Sequence, residues 1–334
     1  MRGLAKKLLA CCLSAAALMG MSACEGQVPK VARSSVPPVQ QPDLTPKQEE
    51  AVRAKIGQVL DKANGSKDPS GLEERVTGPQ LQIRSSELAI AKVTGQLNPK
   101  TTIPDKIAQT VIPGESGWPR SVFAVTTTTE DLQSNRLLVL TQDSARENYK
   151  LWGVARLFQK AELPKFPVET IAAQMGRPDD KGLKVTPAEA VNHYADLLQN
   201  PESSKFADDF APDDFRKSMA SLTDTVRRGM EANHGSQSQT FTPADGQIRV
   251  MRSSDGGDLA VAQINAVWTR QAGEGRQSLP ASDSEKALFG DGHATSTMRV
   301  SYVIVVALYI PGSSSAEKIR AVGAEWQPVK VEAI

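Results

Sequence analysis

The run over residues 300–310, from Val300 to Ile310, is apolar on both faces of an extended backbone, and this most limits what the chain can fold into. Such a strand belongs inside a sheet, with helices over one side and a neighbour or partner over the other. Long β-like runs over 240–252 and 259–270 precede it, and one over 319–331 follows. Asp255-Gly256-Gly257 and Ser313-Ser314-Ser315 provide hairpin turns. Helical patterns stand ahead of these strands. Thr186-Pro187 pairs a capping residue with proline at the first helical position, Glu189 completes a capping box, and Val191, Tyr194, Ala195 and Leu198 form one stripe. Residues 206–213 read as a short helix or turn, and Asp213 or Asp214 starts a helix reaching about Asn233. The polar stretch 271–293 is expected to be a mobile loop.

The same order appears earlier in the chain. Thr45-Pro46 opens a helix with Glu49 and Glu50 in or near its first turn, and Val52, Ile56, Val59, Leu60 and Ala63 form its stripe, ending before Asn64-Gly65. A more polar helix covers 79–93. Pro99, Pro104, Pro113 and Pro119 then predict loops, and β-like runs follow over 121–129, 136–141 and 148–159. Prolines 164, 167 and 178 mark 161–184 as a connection. The spacing of Val52, Ile56 and Val59 recurs in Val191, Ala195 and Leu198. Helices before antiparallel strands in each half predict an α+β protein. A chain of 334 residues suits about two domains, here 44–163 and 185–334 joined by a linker over 164–184.

The N-terminus carries a different kind of signal. Arg2, Lys6 and Lys7 precede a short apolar run over 8–19, too short to span a bilayer as a stable helix and suited to a cleaved export signal over 1–23. Met21-Ser22-Ala23-Cys24 resembles the bacterial lipobox, with Met where Leu is usual, which implies lipid attachment at Cys24. Leu8-Leu9-Ala10-Cys11 has a similar look but leaves almost no apolar run before it. Residues 24–43, with Pro29, Pro37, Pro38 and Pro42, read as an extended tether to the outer side of the cell membrane. The other cysteines, Cys11 and Cys12, fall within the signal, so the mature body holds no disulfide and depends on its core.

Charge narrows the partners. The whole chain has 39 basic and 38 acidic residues; removal of the three signal-peptide bases leaves 36 against 38, a net charge of −2. Without a basic stripe there is no long-range pull on phosphate, so nucleic acid is not an expected partner. His193, His234 and His293 stand in no metal-ligand spacing, and no cofactor is expected. Ser315-Ala316-Glu317-Lys318 spells S-x-x-K without its companion motifs. Asp179-Asp180 and Asp208-Asp209 read as solvated loop and capping charges. No G-x-S-x-G, Walker A or G-x-G-x-x-G sequence is present, so no enzyme class has an anchor.

The lipobox, the tether, Leu163-Pro164, Val185-Thr186-Pro187, Tyr194-Ala195-Asp196 and Phe206-Ala207-Asp208 together resemble a family of actinobacterial secreted lipoproteins of unassigned activity. Their arrangement is similar to tandem NTF2-like (cystatin-like) domains, in which a curved sheet wraps a helix and leaves a conical cavity. The resemblance places Tyr194, Phe206, Phe210, Trp268 and Tyr302 at such a cavity or in the core around it. It implies a binding or assembly role toward a protein, peptide or small molecule. The alternative is an NTF2-like enzyme acting in the cone of the second domain.

Overall fold

The computed structural model describes residues 40–114, 117–128 and 133–334. The export signal, Cys24 and most of the tether lie outside the described residues. Thr45 caps helix α1 (Pro46–Ser66), its side chain accepting from the Gln48 amide while the Gln48 side chain returns the bond to the Thr45 backbone. The box partner is therefore Gln48. Lys67, in the left-handed region, ends the helix two residues beyond Asn64. Helix α2 (Gly78–Thr94) follows, then a four-strand meander: β1 (Ile107–Val111), β2 (Arg120–Thr126), β3 (Arg136–Gln142) and β4 (Lys150–Leu157).

The second half repeats the plan at larger scale. Helix α3 (Pro187–Gln199) starts at Thr186 with the expected Glu189 box, and α4 (Asp214–Glu231) is capped by Asp213. Strands β5 (Ser236–Arg252), β6 (Asp258–Gln271), β7 (Thr297–Ile310) and β8 (Arg320–Ala333) form the second meander, and a short helix α5 (Asp283–Phe289) stands between β6 and β7.

All eight strands join in one antiparallel sheet of order β1-β2-β3-β4-β8-β7-β6-β5. In the ladder the two meanders pair at Arg156 with Ala324 and Leu157 with Gly323, and the Phe158 amide donates to the Val322 carbonyl at 2.9 Å. Backbones come so close there that a Cβ at Gly323 would lie 2.6 Å from the Arg156 carbonyl oxygen. Glycine thus permits the seam. Residues 40–334 form one compact unit.

Alternation along β7 shows how the sheet is covered. Val300, Tyr302, Ile304, Val306, Leu308 and Ile310 pack with α3 residues Val191, Tyr194, Ala195 and Leu198. Val303, Val305, Ala307 and Tyr309 pack instead with Phe123, Val125, Leu137, Val139 and Trp152 of the first meander. The sheet curls back on itself, so the neighbour expected behind the central strand is the chain's own first half. On the outer face of that first meander, Val122, Ala124, Leu138 and Leu140 meet Ile56, Leu60 and Ala63 of α1.

Three stretches depart from the sequence reading. The proline-rich loop region contains edge strand β1, too short to show alternation and held by pairing with β2. The stretch 271–293 contains α5. Asp180 is not a solvated charge: it is buried, accepts from the Arg177 amide at 2.8 Å and pairs with Arg252 at 2.7 Å. The connection 161–184 has no regular element, yet bridges Ala173 to Pro113 of the first half and Met175 to Met251 of the second.

Candidate functional site

Three arginine–glutamate pairs gather where β4, β8, α2, α5 and the end of β6 converge: Arg84–Glu87, Arg156–Glu325 and Arg270–Glu285. Buried charges persist in a fold only when partnered, so each pair needs local structure that sets it up. For Glu285 that structure is the start of α5. Ser282 caps the helix by accepting from the Glu285 amide at 3.1 Å, and the Ala281 amide donates back to Glu285 Oε2 at 2.7 Å. The carboxylate so fixed receives both terminal nitrogens of Arg270, a fork geometry stronger than a single charged hydrogen bond. Tyr302 donates its hydroxyl to Glu285 Oε1 at 3.1 Å. Burial, then the Glu285 charge, holds the Tyr302 phenol well above its usual range.

Beside this network lies a cavity of about 370 Å³, within the range of small-molecule sites. Trp268, Tyr302 and Trp326 line it together with Arg156, Arg270, Glu285 and Glu325; Leu222 and Val226 of α4 contribute an apolar side, and Asn98 to Thr101 an outer edge. The Tyr302 and Trp326 rings stack in parallel, centroids 4.5 Å apart with 4° between planes. Trp268 donates its indole N–H to Gln237 at 2.6 Å. Arg156 holds Glu325 with two contacts, at 2.7 and 2.9 Å. Burial raises the Glu325 carboxyl while Arg156 pulls it down. At a neighbouring opening, Glu87 is pushed up to about 7 by burial, against the attraction of Arg84. Arg270 Nε is buried without a hydrogen-bond partner.

The five aromatic residues singled out from the sequence divide into two groups. Trp268 and Tyr302 line the cavity. Tyr194, Phe206 and Phe210 belong to the core away from it: Tyr194 is fully buried and donates to Asp213 at 3.0 Å, Phe210 tilts against its ring, and Phe206 stacks on His193 with centroids 3.6 Å apart. Burial pushes the Tyr194 phenol up and the His193 imidazole down. His234 follows α4 with a positive φ of 53°, and His293 lies in the irregular segment after α5. Among the described residues, no three or more His, Cys, Asp or Glu side chains gather to hold a metal. Ser315 caps an exposed turn by accepting from the Glu317 amide, and no helix starts there. Asp208 and Asp209 are exposed in a single 3₁₀ turn.

Sequence reasoning passed over Arg156, Arg270, Glu285, Glu325 and Trp326. One signal was present: Ser282 and Glu285 stand at capping-box spacing. The partners of Glu285 had none, since Arg270 and Tyr302 lie on the two strands that flank α5, beyond the reach of any local pattern.

A family described as a domain of unknown function (DUF8094) matches residues 40–330, which include every residue given above as lining this cavity. The chain belongs to that family. Comparison with curated proteins and with solved structures gives no match.

Proposed function

We propose that the chain is a lipid-anchored protein of the cell envelope, held at Cys24 on the outer side of the cell membrane, and that its folded body binds a small molecule in the Trp268–Tyr302–Trp326 cavity. The observation that carries the binding reading is the pairing of the charges. Both carboxylates on the cavity wall, Glu285 and Glu325, are answered by arginines of the same chain. What such a wall offers an incoming molecule is flat aromatic surface and oriented hydrogen-bonding groups. Proton abstraction, which the enzyme reading requires, calls for a carboxylate or imidazole free to take a proton; the carboxylates in the described lining, Glu285 and Glu325, are each engaged by an arginine. The bound molecule on this reading has a planar or weakly polar face and hydrogen-bonding edges.

The helix-before-meander order in both halves supports reading them as a tandem pair of NTF2-like units that share one sheet. Among the described residues no helix is long and apolar enough to cross a membrane. In this proposal the attachment is the lipid on Cys24, whose acyl chains contribute about 0.8 kcal/mol per buried methylene.

Two measurements test the proposal. Metabolic labelling with an alkyne fatty acid should mark the full chain, and Cys24→Ser should abolish the label and release the protein into the medium. Native mass spectrometry of the chain taken from its own membranes should show a non-covalent adduct that Trp326→Ala loses. Equal membrane retention of Cys24→Ser defeats the anchor, and an adduct-free wild type with no thermal shift in small-molecule screens defeats the binding role.

A further inference from the structure

The first half holds a separate cavity, of about 490 Å³, between α1, the segment 97–107 and the outer face of the first meander. Its floor is aliphatic: Ile56, Leu60, Leu138, Leu140 and Leu151 are all buried. One end is closed where Arg53 reaches across to donate to the Asp105 carbonyl at 3.3 Å. Two features of the walls need explaining.

Gly57 stands in the middle of α1 and lines the cavity. Glycine inside a helix costs about 1 kcal/mol relative to alanine. No steric reason for it exists, because a Cβ built there meets nothing within 4 Å. At this point of the cavity wall the helix leaves open space where a side chain would stand. The second feature is Arg84, which is 3% exposed and lines the same cavity. Its terminal nitrogens are used, one donating to the Thr101 carbonyl at 3.0 Å and the other 3.0 Å from Glu87. Its Nε–H has no partner. A buried unpaired donor costs on the order of 1–3 kcal/mol, so an acceptor placed there binds with advantage. Asn64, on the same helix wall, has a buried Oδ1 that is also unpartnered.

We infer that this cavity is a binding site for a long-chain fatty acid, the alkyl chain lying on the Ile56–Leu60–Leu138–Leu140 floor beneath Gly57 and the carboxylate accepting from Arg84 Nε. The aliphatic floor favours a flexible hydrocarbon over a flat ring, since no aromatic residue lines it among the described residues. With its terminal nitrogens engaged, Arg84 keeps one Nε–H to offer, and a carboxylate accepts from a guanidinium more strongly than a neutral oxygen does. Glu50 and Asp61 line the exposed side of α1, toward solvent. Asn98 and Thr101 line both cavities, and the Arg84–Glu87 pair stands near the aromatic one, but the two proposed ligands rest on different lining residues and are tested separately.

The test uses the full chain in membranes and a diazirine-bearing palmitate, with cross-linked peptides mapped by mass spectrometry. Label is expected on the peptides that contain residues 54–64, 97–105 and 138–151. Gly57→Phe, which fills the gap, should cut that label by about tenfold or more without lowering the thermal midpoint. Gly57→Ala should keep the label within about twofold and raise the midpoint. Unlabelled palmitate should compete roughly tenfold better than hexadecanol, which lacks the carboxylate. Label outside these peptides, undiminished label in Gly57→Phe, or equal competition by the alcohol overturns the assignment. Unfolding of Gly57→Phe overturns it as well, because the space above Gly57 would not then be open.

Discussion

The two halves follow one plan and arrive at different chemistry. In the first, strands of five to eight residues leave an outer face that α1 covers with aliphatic contacts, and the resulting cavity has a leucine floor. In the second, strands of fourteen to seventeen residues run past the helix that covers them. The end of β6 carries Trp268 and Arg270, β7 carries Tyr302 and the short helix α5 carries Glu285, and the cavity there is aromatic and charged. Strand length thus decides how much sheet lies beyond the helix, and the uncovered part can hold polar groups if they satisfy one another.

The sharpest way to break this comparison is to remove one member of the Arg270–Glu285 pair. Glu285→Ala should lower unfolding free energy by about 3–5 kcal/mol in urea titration, because it strands a buried guanidinium. The double variant Arg270→Met with Glu285→Leu should recover most of the loss, since apolar residues of similar volume replace buried pairs at little cost. Failure of that rescue would mean that the pair does more than satisfy its own charges.

The seam comes next. Gly323→Ala places a methyl against the Arg156 carbonyl and should cost about 1–3 kcal/mol. Hydrogen exchange should accelerate in β4 and β8 more than in β6. Uniform acceleration would show that the meanders do not separate at the seam.

The connection between the halves carries a pH-dependent element. Asp258 is pushed up to about 7, first by burial and then by neighbouring Asp180. A carboxyl raised in the folded state contributes stability that is fully present below its unfolded value near 4 and is lost as pH rises through 7. Asp258→Asn should therefore leave stability unchanged at pH 4 and raise it by about 1–2 kcal/mol at pH 8. A gain at pH 4 as large as that at pH 8 would exclude the titration as its source.

The smallest expected effect compares the two helix starts. Thr45→Ala and Thr186→Ala each remove a complete capping box, and each should cost about 1 kcal/mol. A much larger loss for Thr186→Ala would show that α3, which packs on the central strand, carries more of the cooperative unit than α1.

Much of the architecture was legible because its signals are local. Both Thr-Pro helix starts, the stripe of α3, the position of β7 and the order of helices before strands can be read from a few neighbouring residues. β1 escaped because five residues among prolines show no period. α5 escaped because its seven residues look like polar loop unless the Ser282–Glu285 spacing is noticed. Of the five aromatic residues expected together at a cavity or its core, Trp268 and Tyr302 line the cavity of the second half and Tyr194, Phe206 and Phe210 do not. A strand's period tells which side chains share a face; it says nothing of where a covering helix stops.

By itself the amino-acid order determined the helix caps, the apolar stripes, the turns and the requirement that β7 be covered on both sides. Tertiary structure alone decided that the second cover is the first meander, that the two meanders share a seam at Gly323, and that Arg156, Arg270, Glu285 and Glu325 pair beside Trp326. The reason is one of range. Caps and stripes depend on contacts within one or two turns of chain, whereas sheet edges and buried ion pairs depend on which distant segments meet, and packing settles that only once the whole body has folded.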